Sequence, residues 1–110
     1  MKTFVCINDL IEANNRRYDV KEILGKEILN KSISGIFFYS NSVVDLTVKR
    51  KLKAWKDFAK KRDVPLYVCI NSLSSRNLSH KIDPTINIVG LGKLVEGVVS
   101  NEKTLVIGKL

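Results

Sequence analysis

A chain of 110 residues with 45% hydrophobic and 27% charged side chains has apolar material for one packed domain and too much for a disordered segment. Its net charge of +8 favours acidic partners, although a Lys-rich surface alone is a weak footprint for nucleic acid. No apolar run approaches the ~18 residues of a membrane span, and Met1 to Asp9 is too short and lacks a small-residue cleavage site for a signal peptide, so a cytoplasmic protein is expected.

Two cysteines in that compartment are expected as free thiols. Neither lies in a Cys-x-x-Cys pair and there is one histidine, so neither a zinc site nor any other cofactor is expected.

In chain order, Lys2 to Ile7 predicts a strand that is apolar on both faces. From about Arg16, the spacing of Val20, Ile23, Leu24 and Ile28 predicts a helix, with Gly25 as a weak point. Ser32 to Gly35 reads as a break and Ile36 to Tyr39 as a second buried strand. Ser42-Val-Val-Asp45 has the pattern of a capping box. The helix it would start carries Val48, Leu52, Trp55 and Ala59 on one stripe, with Phe58 at the margin. Lys49, Arg50, Lys51, Lys53, Lys56 and Lys60 cover much of the rest; a solvated face is the simpler account, and docking to an acidic partner the sharper one.

Leu66 to Ile70, entered through Pro65, predicts a third strand buried on both faces. Asn71 to Ser79 has poor helix propensity, and His80 to Pro84 reads as loop. Ile86 to Val89 predicts a fourth strand. Gly90-Leu-Gly92 then makes a tight turn and not a phosphate loop, because the full Gly-x-Gly-x-x-Gly pattern is missing. Leu94, Val95, Val98 and Val99 form a helical stripe, Asn101 is a candidate C-cap, and Thr104 to Ile107 is a fifth strand. Short apolar strands alternating with amphipathic helices predict a three-layer α/β/α domain over residues 1–110, with a mostly parallel five-stranded sheet.

In such sheets reacting groups gather at the carboxyl ends of strands, so Cys69, near the exit of the third strand, is the candidate active atom. Facing the free N–H groups of a following helix, its thiolate would be favoured. Cys6 reads as a core residue or as a resolving thiol near Cys69. His80 could assist proton movement there or sit idle at the surface, and Trp55 belongs to the core before it could be a stacking platform.

Ile36-Phe-Phe-Tyr39, Ala54-Trp55, Leu66-Tyr-Val-Cys-Ile70 and Gly90-Leu-Gly-Lys-Leu-Val-Glu96 together resemble the DsrE/TusD-like sulfurtransferases, over nearly the whole chain and in the right order. Within that family the resemblance is nearest to the TusD branch. It implies that Cys69, on the position of the family's active cysteine, accepts a sulfane sulfur as a persulfide and passes it on. The product implied is tRNA 2-thiouridine or, for the DsrE branch, sulfur oxidation. The partners implied are TusB- and TusC-like sister subunits in a heterohexamer and upstream and downstream sulfur-carrier proteins, with no direct tRNA contact by this subunit.

The family's Arg-Arg-Gly segment reads Ser75, Arg76 and Asn77 here, so one arginine remains, which either stabilises a persulfide or is solvated. A non-catalytic scaffold subunit of the same complex is the alternative. A flavodoxin-like nucleotide module is suggested by architecture alone, and the missing phosphate loop counts against it.

Overall fold

Along three short strands Val5, Ile7, Ile36, Phe38, Leu66 and Val68 alternate with Phe4, Cys6, Phe37 and Cys69, and both sets are buried. Strands apolar on both faces have to lie inside a sheet covered on both sides. The computed structural model describes residues 2–9, 20–25, 32–101 and 103–108, and these strands form the middle of a five-stranded, all-parallel sheet of order β4-β3-β2-β1-β5.

The elements are β1 (Thr3–Ile7), α1 (Val20–Leu24), β2 (Ile33–Phe38), a 3₁₀ segment (Ser40–Thr47), α2 (Lys49–Arg62), β3 (Leu66–Cys69), α3 (Ile70–Ser75), a 3₁₀ turn (Ser79–Lys81), β4 (Asn87–Val89), α4 (Leu91–Ser100) and β5 (Lys103–Ile107). The α/β fold expected from the alternation of strands and helices is the fold observed. Arg16 and Ile28, expected at the two ends of the first helix, lie outside the described residues.

The two apolar layers are unequal. On one face α1, α2, α3 and the 3₁₀ segment contribute Val20, Leu24, Val43, Leu46, Trp55 and Leu73. Trp55 stands edge-on to Phe38 at 5.1 Å, which confirms it as core. On the other face Phe4, Cys6, Phe37 and Cys69 pack with Tyr39, Tyr67, Val89 and Leu94, the last of these from α4.

The Phe4 ring lies between two glycines. A Cβ at Gly35 would stand 3.4 Å from its Cε1, and a Cβ at Gly97 would stand 2.5 Å from its Cε2 and Cζ. Phe4 is 3% exposed and has no room to swing aside. Glycine at 97 is therefore what lets the α4 backbone descend onto β1.

Several boundaries differ from those expected. β2 begins at Ile33, because Gly35 is not a breaker but the space into which Phe4 and Tyr67 fit. Ser42 does not cap a helix. It is buried at the sheet rim, where its hydroxyl donates to the Ile7 carbonyl and lies 2.8 Å from that of Tyr39. Asp45 is buried against Lys51 at 2.8 Å. With both side chains engaged elsewhere, the segment winds as a 3₁₀ helix and α2 starts at Lys49 without a side-chain cap.

Ile70 leaves the sheet as the first residue of α3 and is exposed. The α4 stripe is only partly inward. Leu94 and Gly97 face the sheet, whereas Val95 (61% exposed) and Val99 (78%) face out with Leu91 and Val98. The closest backbone approach, at Gly97, decides which side of α4 is inner. Asn101 caps α4 through its side chain, which donates to the Gly97 carbonyl at 2.6 Å, on an extended backbone.

Gly97→Ala should destabilise the fold by about 1–3 kcal/mol through overpacking. Adding Phe4→Leu should return part of that loss, because the two sites share one contact. Urea unfolding of the two single variants and the double variant checks this. Additive effects would show that Phe4 is not the obstacle.

Candidate functional site

Cys69 is the last residue of β3 and the residue before α3, at the carboxyl end of the sheet where the sequence puts it. It pairs in register with Val89, the last residue of β4, and Gly90 follows directly. The residue is 2% exposed, in the layer shared with Phe4, Cys6 and Phe37, against which Leu94 packs.

Two features of the expected site therefore differ. The thiol is covered and not presented to solvent. It also makes no hydrogen bond to the free N–H groups of α3, because α3 packs its Leu73 on the opposite face of the sheet. The alternation of β3 explains both: Val68 and Cys69 must point to opposite faces, and Val68 belongs to the face that α3 covers.

Cys6 shares the layer but not the neighbourhood. It registers with Phe37, which registers with Tyr67, two residues short of Cys69. Two strand spacings of about 4.8 Å and two residues of about 3.3 Å put the two Cα atoms about 12 Å apart. A disulfide needs less than about 7 Å, so no direct bridge can form in this conformation. Burial pushes the Cys6 thiol up to about 11. The packing reading of Cys6 is the one the structure supports.

Around Cys69 the rim is braced by Ser40, Ser72 and Asn41, which the sequence did not single out, and by Arg76, which it did. Ser40 takes a left-handed backbone (φ 56°), a strained conformation for a residue other than glycine or asparagine, and its N–H donates to Ser72 Oγ at 2.8 Å. Arg76 donates from Nη2 to Asn41 Oδ1 at 2.7 Å and from Nη1 to the Ser72 carbonyl at 3.2 Å. It ties α3 to the 3₁₀ segment and is not simply solvated.

Tyr39 packs beside Phe37 at 5.7 Å and its hydroxyl accepts a bond from Asn8 Nδ2. Its period-two spacing from Phe37 was a usable signal that it joins the Cys69 face. Lys93 lies over the Tyr67 ring at 4.7 Å and pairs with Glu96 at 3.2 Å. His80 is exposed on the 3₁₀ turn, and its neighbours Leu78 and Ile82 pack into the layer opposite Cys69. The structure does not bring His80 and Cys69 together. Among the described residues no cluster of His, Cys, Asp and Glu could hold a metal ion, and no helix is long and apolar enough to cross a membrane.

The model of the DsrE/DsrF-like family matches residues 1–106. The chain belongs to the DsrE/DsrF-like family. Membership places it broadly with sulfur-relay and sulfur-transfer proteins. The crystal structure of the ychN protein from E. coli shares this DsrE-like fold, with a TM-score of 0.71 over 97% of this chain and 100% of that one. At 13% identity, that likeness is one of fold. No curated protein sequence matches the chain.

The buried Cys6 thiol should make stability depend on pH under alkali. The folded state holds the Cys6 proton to about pH 11, while the unfolded chain releases it near 9. Its contribution is then complete below pH 9 and is lost as pH rises towards 11, because only the unfolded state gains by ionising. Urea unfolding from pH 8 to 11 should fall more steeply for the native protein than for Cys6→Ala. Parallel slopes would show that Cys6 ionises freely in the fold.

Proposed function

We propose that this protein is a sulfur-relay subunit that carries a sulfane sulfur as a persulfide on Cys69. The observation that carries the reading is a cysteine ending the third strand, at the carboxyl rim of a parallel sheet, in a chain of the DsrE/DsrF-like family. The chemistry is kin to thiol–disulfide exchange. The Cys69 thiolate attacks the outer sulfur of a donor protein's persulfide, a new S–S bond forms, and the donor's own S–S bond breaks. The donor leaves as a thiolate, and the proton of the terminal SH stays on the transferred sulfur. The reverse attack by an acceptor thiolate on the outer sulfur delivers it. No net oxidant or reductant is consumed, and no metal or nucleotide is needed.

The TusD-like motifs favour 2-thiouridine of the tRNA wobble position as the final product, reached through a downstream protein carrier, with TusB- and TusC-like sister subunits completing the assembly. A second reading, a non-catalytic partner-binding subunit, is favoured by the 2% exposure of Cys69 and by the outward Leu91, Val95 and Val99 of α4.

Incubation with a small-molecule persulfide donor should add one sulfur by intact mass. The adduct should persist in Cys6→Ser and vanish in Cys69→Ser. An adduct that survives Cys69→Ser, or none at all in the presence of sister subunits, would leave the scaffold reading.

A further inference from the structure

We propose that α4 is a hinged cover over Cys69: it pivots where Gly97 is seated on Phe4, and its N-terminal end lifts because the joint at Gly90 and Gly92 gives. The inference rests on the reading of Cys69 as the sulfur carrier, because a thiol that exchanges sulfur with another protein has to be reached.

Four observations meet at one place. Cys69 is 2% exposed, and Leu94, in the first turn and a half of α4, packs on the layer that holds it. The joint that sets α4 is adjacent: Val89 is the in-register partner of Cys69, and Gly90 is the next residue. Glycine at this joint has no steric reason in the closed form. A Cβ at Gly90 or at Gly92 would meet nothing within 4 Å, and Gly90 has an ordinary extended backbone (φ −88°, ψ 179°). This contrasts with Gly97, where a Cβ would strike Phe4. Two glycines that the closed packing does not require leave the joint free to take other conformations.

The inner side of the N-terminal half is also lightly held. Leu94 and Lys93 are only part-buried, Lys93 rests on the Tyr67 ring, and Leu91 and Val95 face outward whether the helix is down or up. The pivot end is fixed where Gly97 sits on Phe4 and Asn101 closes the last turn.

The test is alkylation of the folded protein by N-ethylmaleimide, with each cysteine followed by peptide mass. The reagent is kept dilute so that reclosing outpaces the chemistry and the rate reports the open population. Cys6, at 1% exposure in the same layer but within the central β1, paired on both sides and away from the α4 joint, is the internal control. Cys69 should label faster than Cys6 when each rate is corrected to the unfolded chain. Its rate should barely change in low urea, where that of Cys6 follows global unfolding.

Gly→Ala at a site compatible with the closed form restricts the open chain by a factor of about 2 to 5. Gly90→Ala with Gly92→Ala should therefore slow Cys69 by about tenfold and leave Cys6 tracking stability alone. Lys93→Ala should speed Cys69. A common urea dependence for the two thiols, or an unchanged Cys69 rate in the double-alanine variant, overturns the hinge. Sulfur loading of Cys69 with an unmoved rate would sink the hinge and spare the relay. A slowed rate without any loading would do the reverse.

Discussion

The contact between the Phe4 ring and the bare backbone at Gly97 is the constraint on which the weaker half of this molecule depends. β1 is central enough to be buried on both faces, and one of those faces has to be sealed by a helix of ten residues. An aromatic ring fills that layer only if the helix comes close, and a side chain at 97 would keep it away. Gly35 does the same service from the sheet side, admitting the edges of Phe4 and Tyr67 between neighbouring strands. Packing at interior density leaves no slack in such an arrangement.

From that contact follows the division of the molecule into two unlike sides. The layer of α1, α2 and α3 is thick, with Trp55, Phe38 and Phe58 interlocked edge to face. It is also the basic side. Lys51 reaches Asp45, Lys53 reaches Asp57 and Lys56 reaches Asp83, while Lys49, Arg50, Lys60 and Lys61 form no ion pair among the described residues. Asp83, held by hydrogen bonds from Thr85 and then Lys56, has its carboxyl lowered to about 2 and anchors the loop before β4. The α4 layer is thin and carries Lys93 paired with Glu96, and its outer surface is apolar. Both cysteines lie in the thin layer, which is where a small movement of one helix changes exposure most.

Burial and sulfur chemistry pull against each other at Cys69. Under the proposed relay, an apolar layer would shield a persulfide on Cys69 from stray thiols and also hide it from the protein that is to receive it. Cys6 and Cys69 are similarly buried and differ chiefly in place. Cys6 lies within the central β1, while Cys69 lies at the strand exit, beside the joint of α4. Across the rim from that joint, the left-handed Ser40, held by Ser72, and the Arg76–Asn41 bond stiffen the other side of the site. The two flanks of Cys69 are thus built differently, one braced by polar bonds and one jointed by glycine.

The sequence alone determined the strands, their parallel arrangement and the position of Cys69 at a strand exit. Runs such as Ile36-Phe-Phe and Leu66-Tyr-Val-Cys are apolar at every position, and only a sheet covered on both sides can bury them. Tertiary structure decided where each group points. Ser42 and Asp45 abandoned a capping box because a strand-end carbonyl and Lys51 were the stronger partners, and Val95 and Val99 turned outward because Gly97 had to face Phe4. Whether the thiol of Cys69 met the free N–H groups of α3 or the rings of the opposite layer was fixed by the pleat of β3 against elements distant in the chain. Local spacing carries no record of such partners, because they become neighbours only when the chain closes on itself.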